Sequence, residues 1–136
     1  MDMHLIQTIR EHLVERLDAR FILVFGSTAK GTDRNESDLD IAYYPKVDST
    51  LSSYDVFMIA QEFAQIIDRD VDIIDLQSAS TVFRAEVYTS AQSVYVEEQD
   101  FFEQQQMTAL SMYVKLNEER YEIIKRIRES GSIYEQ

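Results

Sequence analysis

Two aspartates separated by one residue are the first candidates for chemistry in this sequence of 136 residues. Asp38 and Asp40 stand in the segment DLDIAYY, where apolar residues alternate with others as in a β-strand. Side chains two positions apart in a strand point to the same face, with their Cα atoms about 6–7 Å apart. Two carboxylates at that distance repel by about 2.5 kcal/mol at an effective dielectric constant near 20. A divalent cation would reverse this term, and Mg²⁺, which prefers oxygen ligands, fits the pair best.

A third carboxylate stands in a second alternating segment, DVDIIDL. If this strand lies beside the first, Asp72 can complete a triad with Asp38 and Asp40. Asp70 or Asp75 could supply the third ligand instead. Three carboxylates suit a two-metal site for in-line phosphoryl transfer, in which the ions clamp triphosphate oxygens and activate an incoming hydroxyl. A single Asp-x-Asp is common on exposed strands, so this interpretation depends on the combination.

Gly26 and Ser27 directly follow the apolar segment FILVF, which is predicted to be a short strand. Glycine lets the backbone approach a phosphate closely, and a serine hydroxyl with neighbouring backbone N–H groups can hold anionic oxygens. The polar stretch that follows contains Lys30 and Arg34, which could face a triphosphate or be solvated loop charges. The pattern therefore predicts a phosphate-binding turn just before the aspartate pair.

The hydrophobic pattern predicts an α/β (α+β) fold, with a small mixed sheet of about four strands flanked by helices. Four segments have apolar residues at helical spacing, and four short segments are apolar or alternating. The predicted helices cover about residues 3–18, 51–67, 78–90 and 99–130, and the predicted strands cover 21–25, 38–44, 70–76 and 93–97. We expect one domain at residues 1–98, and a long C-terminal helix within 99–136 that is continuous with it.

Charge and composition argue against several classes of protein. The net charge of −12, from 25 acidic and 13 basic residues, opposes binding to DNA or RNA, because such binding depends on basic residues that neutralise phosphates. The chain has no cysteine, which excludes disulfides and a cysteine nucleophile. Its longest apolar run, at 21–25, is far shorter than the roughly 20 residues that cross a bilayer. We therefore expect a cytoplasmic protein with no direct nucleic-acid or membrane partner.

The segment GSTAKGTDRNESDLDI resembles the signature of the nucleotidyltransferase superfamily typified by DNA polymerase β. That pattern is a Gly-Ser pair followed by Asp-x-Asp at a strand, and here ten residues separate Ser27 from Asp38, as in the minimal nucleotidyltransferases. The resemblance implies the nucleotidyltransferase fold, ATP as nucleotide donor and a two-ion Mg²⁺ site. Lys30 stands where many relatives have arginine, which keeps the charge but loses the planar fork of the guanidinium.

The same resemblance assigns a role to each matching residue. It implies that Gly26 and Ser27 hold the nucleotide phosphates and that Asp38 and Asp40 bind both metal ions. Asp72, in the V-D-I-I-D segment that matches the family's third acidic position, would bind the catalytic ion and help to activate the acceptor hydroxyl. Ser27 and the three aspartates are therefore the predicted catalytic residues.

Minimal nucleotidyltransferases of this size resemble the antitoxin half of HEPN–MNT toxin–antitoxin pairs. Such an antitoxin transfers AMP from ATP to a tyrosine of the HEPN ribonuclease toxin and so silences it. The resemblance predicts a cognate HEPN toxin as partner in a hetero-oligomeric complex, but it leaves the base preference and the acceptor residue open. Two alternatives stay open as well: neutralisation mainly by physical binding, and modification of a small molecule such as an antibiotic.

The far end of the C-terminal helix, with the sequence KLNEERYEIIKRIRES, is the candidate surface for docking a partner. A helix of roughly 30 residues spans about 45 Å, which is longer than so small a domain needs. Packing on its own domain and a homodimer seam are the alternatives to a heterologous partner.

Overall fold

The computed structural model describes residues 1–29 and 38–131, which form four helices and four strands in the predicted order. The helices are α1 (Met3–Leu13), α2 (Ser53–Ile67), α3 (Thr81–Ser90) and α4 (Gln99–Glu129). The strands are β1 (Ala19–Phe25), β2 (Leu39–Pro45), β3 (Val71–Asp75) and β4 (Gln92–Val96). Lys30 and Arg34, the two candidate phosphate contacts, lie outside the described residues.

The strands form one mixed sheet in the order β3-β2-β1-β4. β1 runs antiparallel to both of its neighbours, whereas β2 and β3 are parallel. The parallel pair is joined through α2, since parallel strands need a long crossover connection. The predicted small mixed sheet flanked by helices is confirmed, and the strand that carries Asp72 lies directly beside the strand that carries Asp40.

One face of the sheet is covered by α1 and α2. Successive side chains of a strand point to opposite faces, so only alternate strand residues reach this side. Ile9 and Leu13 of α1 and Phe63 of α2 are almost completely buried here. The strand residues that share this core include Ile22, Val24, Leu39, Ile41 and Val71.

The opposite face is covered by α3 and the first turns of α4, and its core is largely aromatic. Phe21 of β1 is fully buried, and the ring of Phe102 meets it edge-on with 5.0 Å between the ring centroids. The guanidinium of Arg20 lies 3.5 Å from the centroid of the Phe101 ring and pairs with Glu98 at 3.2 Å. These contacts fix the start of α4 against the sheet.

The first helix ends earlier than its apolar spacing predicted. α1 ends at Leu13 and not near residue 18, and the chain turns through residues 14–18. Asp18 adopts a left-handed conformation with φ of 49°, after which Ala19 begins β1. Leu17 is fully buried, so its side chain continues the helical pattern of apolar residues without belonging to the helix.

α4 is a single helix of 31 residues, of which only the first half packs on the domain. Ala109 is buried, and the side-chain amide of Gln106 donates to the carbonyl of Tyr88 at 3.2 Å. From residue 117 to residue 131, every residue is exposed. Gly131 follows the helix with φ of 86°, as expected of a glycine at a helix C-terminus. Among the described residues, no helix combines the length and apolar character needed to cross a membrane.

Candidate active site

The parallel pairing of β2 and β3 brings Asp40 and Asp72 together. The two residues are direct register partners, so their Cα atoms lie at about the 4.8 Å spacing of neighbouring strands. Leu39, Ile41 and Val71, which alternate with them, point into the core under α1 and α2. Both carboxylates therefore lie on the opposite face of the sheet. Asp72 is exposed and Asp40 is half-buried.

The surroundings of Asp40 raise its pKa above the usual value of 3.8. Burial is the largest cause, followed by the negative charge of Asp72 and then by that of Asp38. All three causes disfavour the charged form of Asp40 when no cation is near. A divalent ion would offset them, so the acid pair has the electrostatic character of a metal site.

The turn that follows β1 lies against Asp40. Phe25, the last residue of β1, is the register partner of Asp40, so the turn begins beside the carboxylate. Gly26 has φ of +75°, and a Cβ atom at this position would lie 2.5 Å from Oδ2 of Asp40. Both its conformation and this close approach require glycine. Ser27 is half-buried in the same turn, so the predicted phosphate-binding pair adjoins the predicted metal ligands.

Two side chains that sequence analysis did not identify brace this turn. Nη2 of Arg69 donates to Oγ1 of Thr28 at 3.0 Å, and Nε2 of Gln92 donates to the carbonyl of Ala29 at 3.0 Å. Arg69 approaches from the connection between α2 and β3, and Gln92 from the start of β4. No sequence pattern marks Thr28 or Gln92. A weak signal exists for Arg69, because it stands close before Asp72 in the segment DRDVD.

Asp38 lies immediately before β2 and is exposed, whereas alternation had placed it inside the strand. It is still near enough for its charge to raise the pKa of Asp40. Across residues 1–29 and 38–131, no three His, Cys, Asp or Glu side chains converge closely enough to hold a metal ion. Metal binding by Asp38, Asp40 and Asp72 therefore stays a prediction. Asp40 and Asp72 already lie side by side in the structure.

Asp70 and Asp75, the other two acids of the segment DVDIIDL, are placed less well for this role than Asp72. Asp75 is the register partner of Tyr43, so both side chains lie on the face under α1 and α2. The Asp75 carboxylate accepts a hydrogen bond from the backbone N–H of Gln77 at 2.8 Å. Burial, with the charge of Asp75 as the next cause, raises the pKa of Tyr43 to about 12. Asp70 precedes β3, so Asp72 is the best-placed candidate for the third ligand.

Carboxylates beside a glycine turn are groups that could hold metal ions and nucleotide phosphates, as nucleotide transfer requires. The comparison with known families supports this interpretation. Residues 7–100, which include the turn, the acid pair and all four strands, match the family described as "Polymerase beta, Nucleotidyltransferase". The chain belongs to this family.

Comparison with individual proteins shows more specific similarities. The chain is 38% identical over 105 residues to the protein adenylyltransferase MntA of Shewanella oneidensis, a match that covers 77% of this chain and 73% of that protein. It is similar to the crystal structure of a toxin–antitoxin with AMP-PNP, with a TM-score of 0.72 and 34% identity over 91% of this chain and 95% of that chain. It is also similar to a structure of tri-AMPylated Shewanella oneidensis HEPN toxin in complex with MNT antitoxin. That match has a TM-score of 0.67 and 30% identity over 92% of this chain and 93% of that chain.

Replacing Asp40 by asparagine should stabilise the metal-free protein. The raised pKa means that charging Asp40 costs the folded state a penalty, which sets in as the pH rises through 3.8 and is complete above the raised pKa. Asparagine removes this penalty. At neutral pH without Mg²⁺ we expect the thermal midpoint to rise by about 2–5 °C, and we expect stabilisation by added Mg²⁺ to disappear. Thermal unfolding with and without Mg²⁺ measures both effects.

Asp48, an exposed acid in the connection between β2 and α2, offers the matched control. Asp48→Asn removes the same charge from the acidic chain and should change neither the thermal midpoint nor the response to Mg²⁺. An equal rise for both variants would assign the effect to net charge and would contradict the prediction.

Gly26→Ala should destabilise the fold by about 1–3 kcal/mol, because a left-handed residue other than glycine is strained and the new methyl group meets Asp40. In an Asp40→Ala background the same substitution should cost less, since the 2.5 Å contact is then absent. Gly131→Ala, also at positive φ but at the end of α4, controls for backbone strain alone. Urea unfolding of the variants measures the costs, and equal costs of Gly26→Ala in both backgrounds would refute the contact.

Proposed function

We propose that this chain is a Mg²⁺-dependent adenylyltransferase that acts as a type VII-like antitoxin. It transfers AMP from ATP to a tyrosine of a cognate HEPN ribonuclease toxin and so neutralises the toxin. The observation that carries the proposal is the register pairing of Asp40 with Asp72 beside the Gly26 turn. Similarity to a protein adenylyltransferase and to a complex with a tri-AMPylated toxin supports it.

The proposed reaction is an in-line displacement at the α-phosphorus of ATP. The tyrosyl oxygen forms a bond to this phosphorus, the bond from phosphorus to the bridging oxygen breaks, and pyrophosphate leaves with that electron pair. The phenolic proton passes to the exposed carboxylate of Asp72. Bound Mg²⁺, proposed as two ions, would neutralise charge on the phosphate oxygens and acidify the acceptor hydroxyl.

Each protein group has its own task in this reaction. Asp38 and Asp40 are the proposed ligands of both metal ions, and Asp72 is the proposed ligand of the catalytic ion as well as the proton acceptor. Gly26 and Ser27 hold the phosphates through backbone N–H groups and the serine hydroxyl. The two hydrogen bonds that brace the turn keep these donors in place before the nucleotide binds, which reduces the ordering left to the reaction itself.

An acidic protein suits a protein acceptor better than a nucleic acid. The net charge of −12 opposes a polyanionic partner and favours a basic one. The similar toxin–antitoxin with AMP-PNP supports an adenine nucleotide as the donor. The similar complex of an AMPylated HEPN toxin supports a hetero-oligomer with the acceptor. We propose that this reaction takes place in the cytoplasm, where ATP is available.

The exposed end of α4 is the proposed toxin-binding surface. Tyr121, Ile123, Ile124 and Ile127 are 45–64% exposed there, and every residue around them in the sequence is exposed as well. Apolar side chains three and four positions apart share one face of a helix, and such a face can dock in a groove of a partner. Ile123 and Ile127, one helical turn apart, mark the centre of this surface.

This apolar surface favours a second candidate function, in which the chain neutralises the toxin by physical binding alone. The acid pair favours the enzyme, since a pure binder gains nothing from carboxylates whose charges oppose one another without a metal. The two functions make different predictions for a protein that still binds the toxin but has lost its metal ligands.

Asp38→Asn combined with Asp40→Asn should abolish AMP transfer and leave the toxin bound, because neither residue belongs to the proposed toxin-binding surface on α4. The measurement is the intact mass of the co-purifying partner before and after incubation with ATP and Mg²⁺. We expect the partner to gain whole AMP units with the native chain and with Asp48→Asn, and none with the double variant. If the double variant still neutralises the toxin fully in cells, binding alone is the function.

Ile123→Asp combined with Ile127→Asp should weaken toxin binding at least about tenfold, which corresponds to about 1.4 kcal/mol. Both side chains are exposed, so the thermal midpoint should not change. Titration calorimetry in the Asp38→Asn/Asp40→Asn background measures binding without modification. Val47→Asp, at a fully exposed position in the β2–α2 connection, is the control. Unchanged affinity in the double isoleucine variant would show that the toxin binds to another surface of the chain.

A further inference from the structure

β3 is the last strand of the sheet on the side of Asp72, and its outer edge is not paired with any described strand. The carbonyl of Asp70 accepts from the N–H of Leu39 at 2.8 Å, and the N–H of Leu76 donates to the carbonyl of Tyr43 at 3.0 Å. The even-numbered residues of this segment therefore direct their backbone groups to β2. In a strand the direction alternates, so Val71, Ile73 and Asp75 direct their N–H and C=O groups outward. Val71 is buried, so the half-exposed Ile73 and Asp75 are the residues that this edge offers for pairing with a further strand.

A cleft of about 510 Å³ runs along this edge. Ser53, Val56, Phe57, Ala60 and Gln61 of α2 form one wall, and β3 itself, including Asp72, forms the other. Phe57 is 58% exposed, so a large apolar side chain faces solvent in this wall. The volume falls within the range of about 300–1,000 Å³ that ligand sites have. The cleft can accommodate side chains of a strand added to the β3 edge.

The order of the proposed site residues across the sheet determines which substrate, the nucleotide or the acceptor, approaches from the side of β3. The phosphate-binding turn follows β1, Asp40 is on β2 and Asp72 is on β3, beyond which lies the open edge. In an in-line displacement, the nucleophile and the leaving group lie on opposite sides of the phosphorus. Because the turn next to β1 takes the nucleotide phosphates, the acceptor must approach from the side of β3. The cleft is therefore continuous with the acceptor side of the proposed active site.

We propose that the β3 edge and this cleft bind the acceptor segment of the toxin as an added extended strand. This inference rests on the proposed function. The main chain of the segment pairs with Ile73 and Asp75, and its target tyrosine points to the face that carries Asp72. Side chains alternate along a strand, so the residues on either side of the tyrosine point to the opposite face and enter the cleft beside Phe57.

The negative charge of this surface limits which toxin segments can bind to the β3 edge. Asp72 is exposed and Asp75 is half-exposed along this edge, and both line the cleft. With a net charge of −12 on the whole chain, the edge favours a segment with basic residues near its tyrosine. The occupant is thus an extended, basic stretch of the toxin with apolar residues flanking the tyrosine.

The first experiment measures AMP transfer to the intact co-purifying partner at varied concentrations of that partner and of ATP. Phe57→Lys removes an apolar contact and adds a charge that repels a basic segment. We expect the KM for the partner to rise at least about tenfold, with the KM for ATP unchanged. Ile66→Lys is the matched control, because Ile66 is 52% exposed on the same helix and does not line the cleft. Equal KM values for the partner in the two variants would overturn the proposal.

The second experiment uses the native chain, so folding of a variant does not enter. The probes are synthetic peptides of the partner, each centred on one of its tyrosines, with single backbone N-methyl groups placed in turn along the chain. An added strand predicts that methylation blocks AMP transfer at alternate positions only, since alternate N–H groups face β3. Methylation that is harmless everywhere, or harmful without alternation, would overturn strand addition.

The two proposals fail in distinguishable ways. If the native chain transfers no AMP to its partner, the proposed function is wrong whatever Phe57→Lys does. If transfer occurs but the Phe57→Lys variant behaves like the Ile66→Lys variant, only the docking mode is wrong. A dimer of this chain that is present in the native protein and lost in Phe57→Lys, measured by light scattering, would assign the edge to a second copy and overturn the proposal as well.

Discussion

The repulsion between two neighbouring carboxylates is the constraint around which this fold is organised. Asp40 and Asp72 are register partners on parallel strands, and burial adds to the cost of charging the first of them. The strands stay together because residues that alternate with the acids, Leu39, Ile41 and Val71, are buried under α1 and α2. Each fully buried aliphatic side chain contributes about 1.5–3 kcal/mol, against a repulsion of about 3.5 kcal/mol at the roughly 4.8 Å strand spacing and an effective dielectric constant near 20. Burial of the three side chains together exceeds this repulsion, so the acids stay in place without a metal.

The glycine turn sets the second distance on which the site depends, that between the proposed phosphate-binding and metal-binding groups. A Cβ atom at position 26 would lie 2.5 Å from Oδ2 of Asp40, so glycine allows the turn to lie directly against this carboxylate. Hydrogen bonds from Arg69 and Gln92 then fix the turn from two directions, from the crossover before β3 and from β4. Three strands and one crossover thus contribute to a single rigid arrangement. A reaction that depends on positioning and electrostatics gains most from such preorganisation.

Much of this arrangement could be predicted from the local periodicity of the sequence. The rest depends on contacts between segments that are distant in the sequence. Asp40 and Asp72 were predictable because a strand has a fixed period of two, so an acid between buried neighbours must face the other way. The choice of Asp72 over Asp75 came from the family resemblance, and the strand register places Asp72 beside Asp40. The hydrogen bond from Arg69 to Thr28 was not predictable, since it depends on which loops meet in space. The end of α1 was misplaced because an apolar residue buried in the following turn continued the helical spacing.

The exposed part of α4 acts as an arm once a toxin is attached to it. Residues 117–129 extend for about 20 Å at the rise of an α-helix, and Arg20 and Phe101 anchor the other end to the sheet. A toxin docked on the proposed surface would stay attached to the chain that modifies it, so the next encounter of its tyrosine with the active site would be intramolecular. A further transfer would then need no second capture of the toxin.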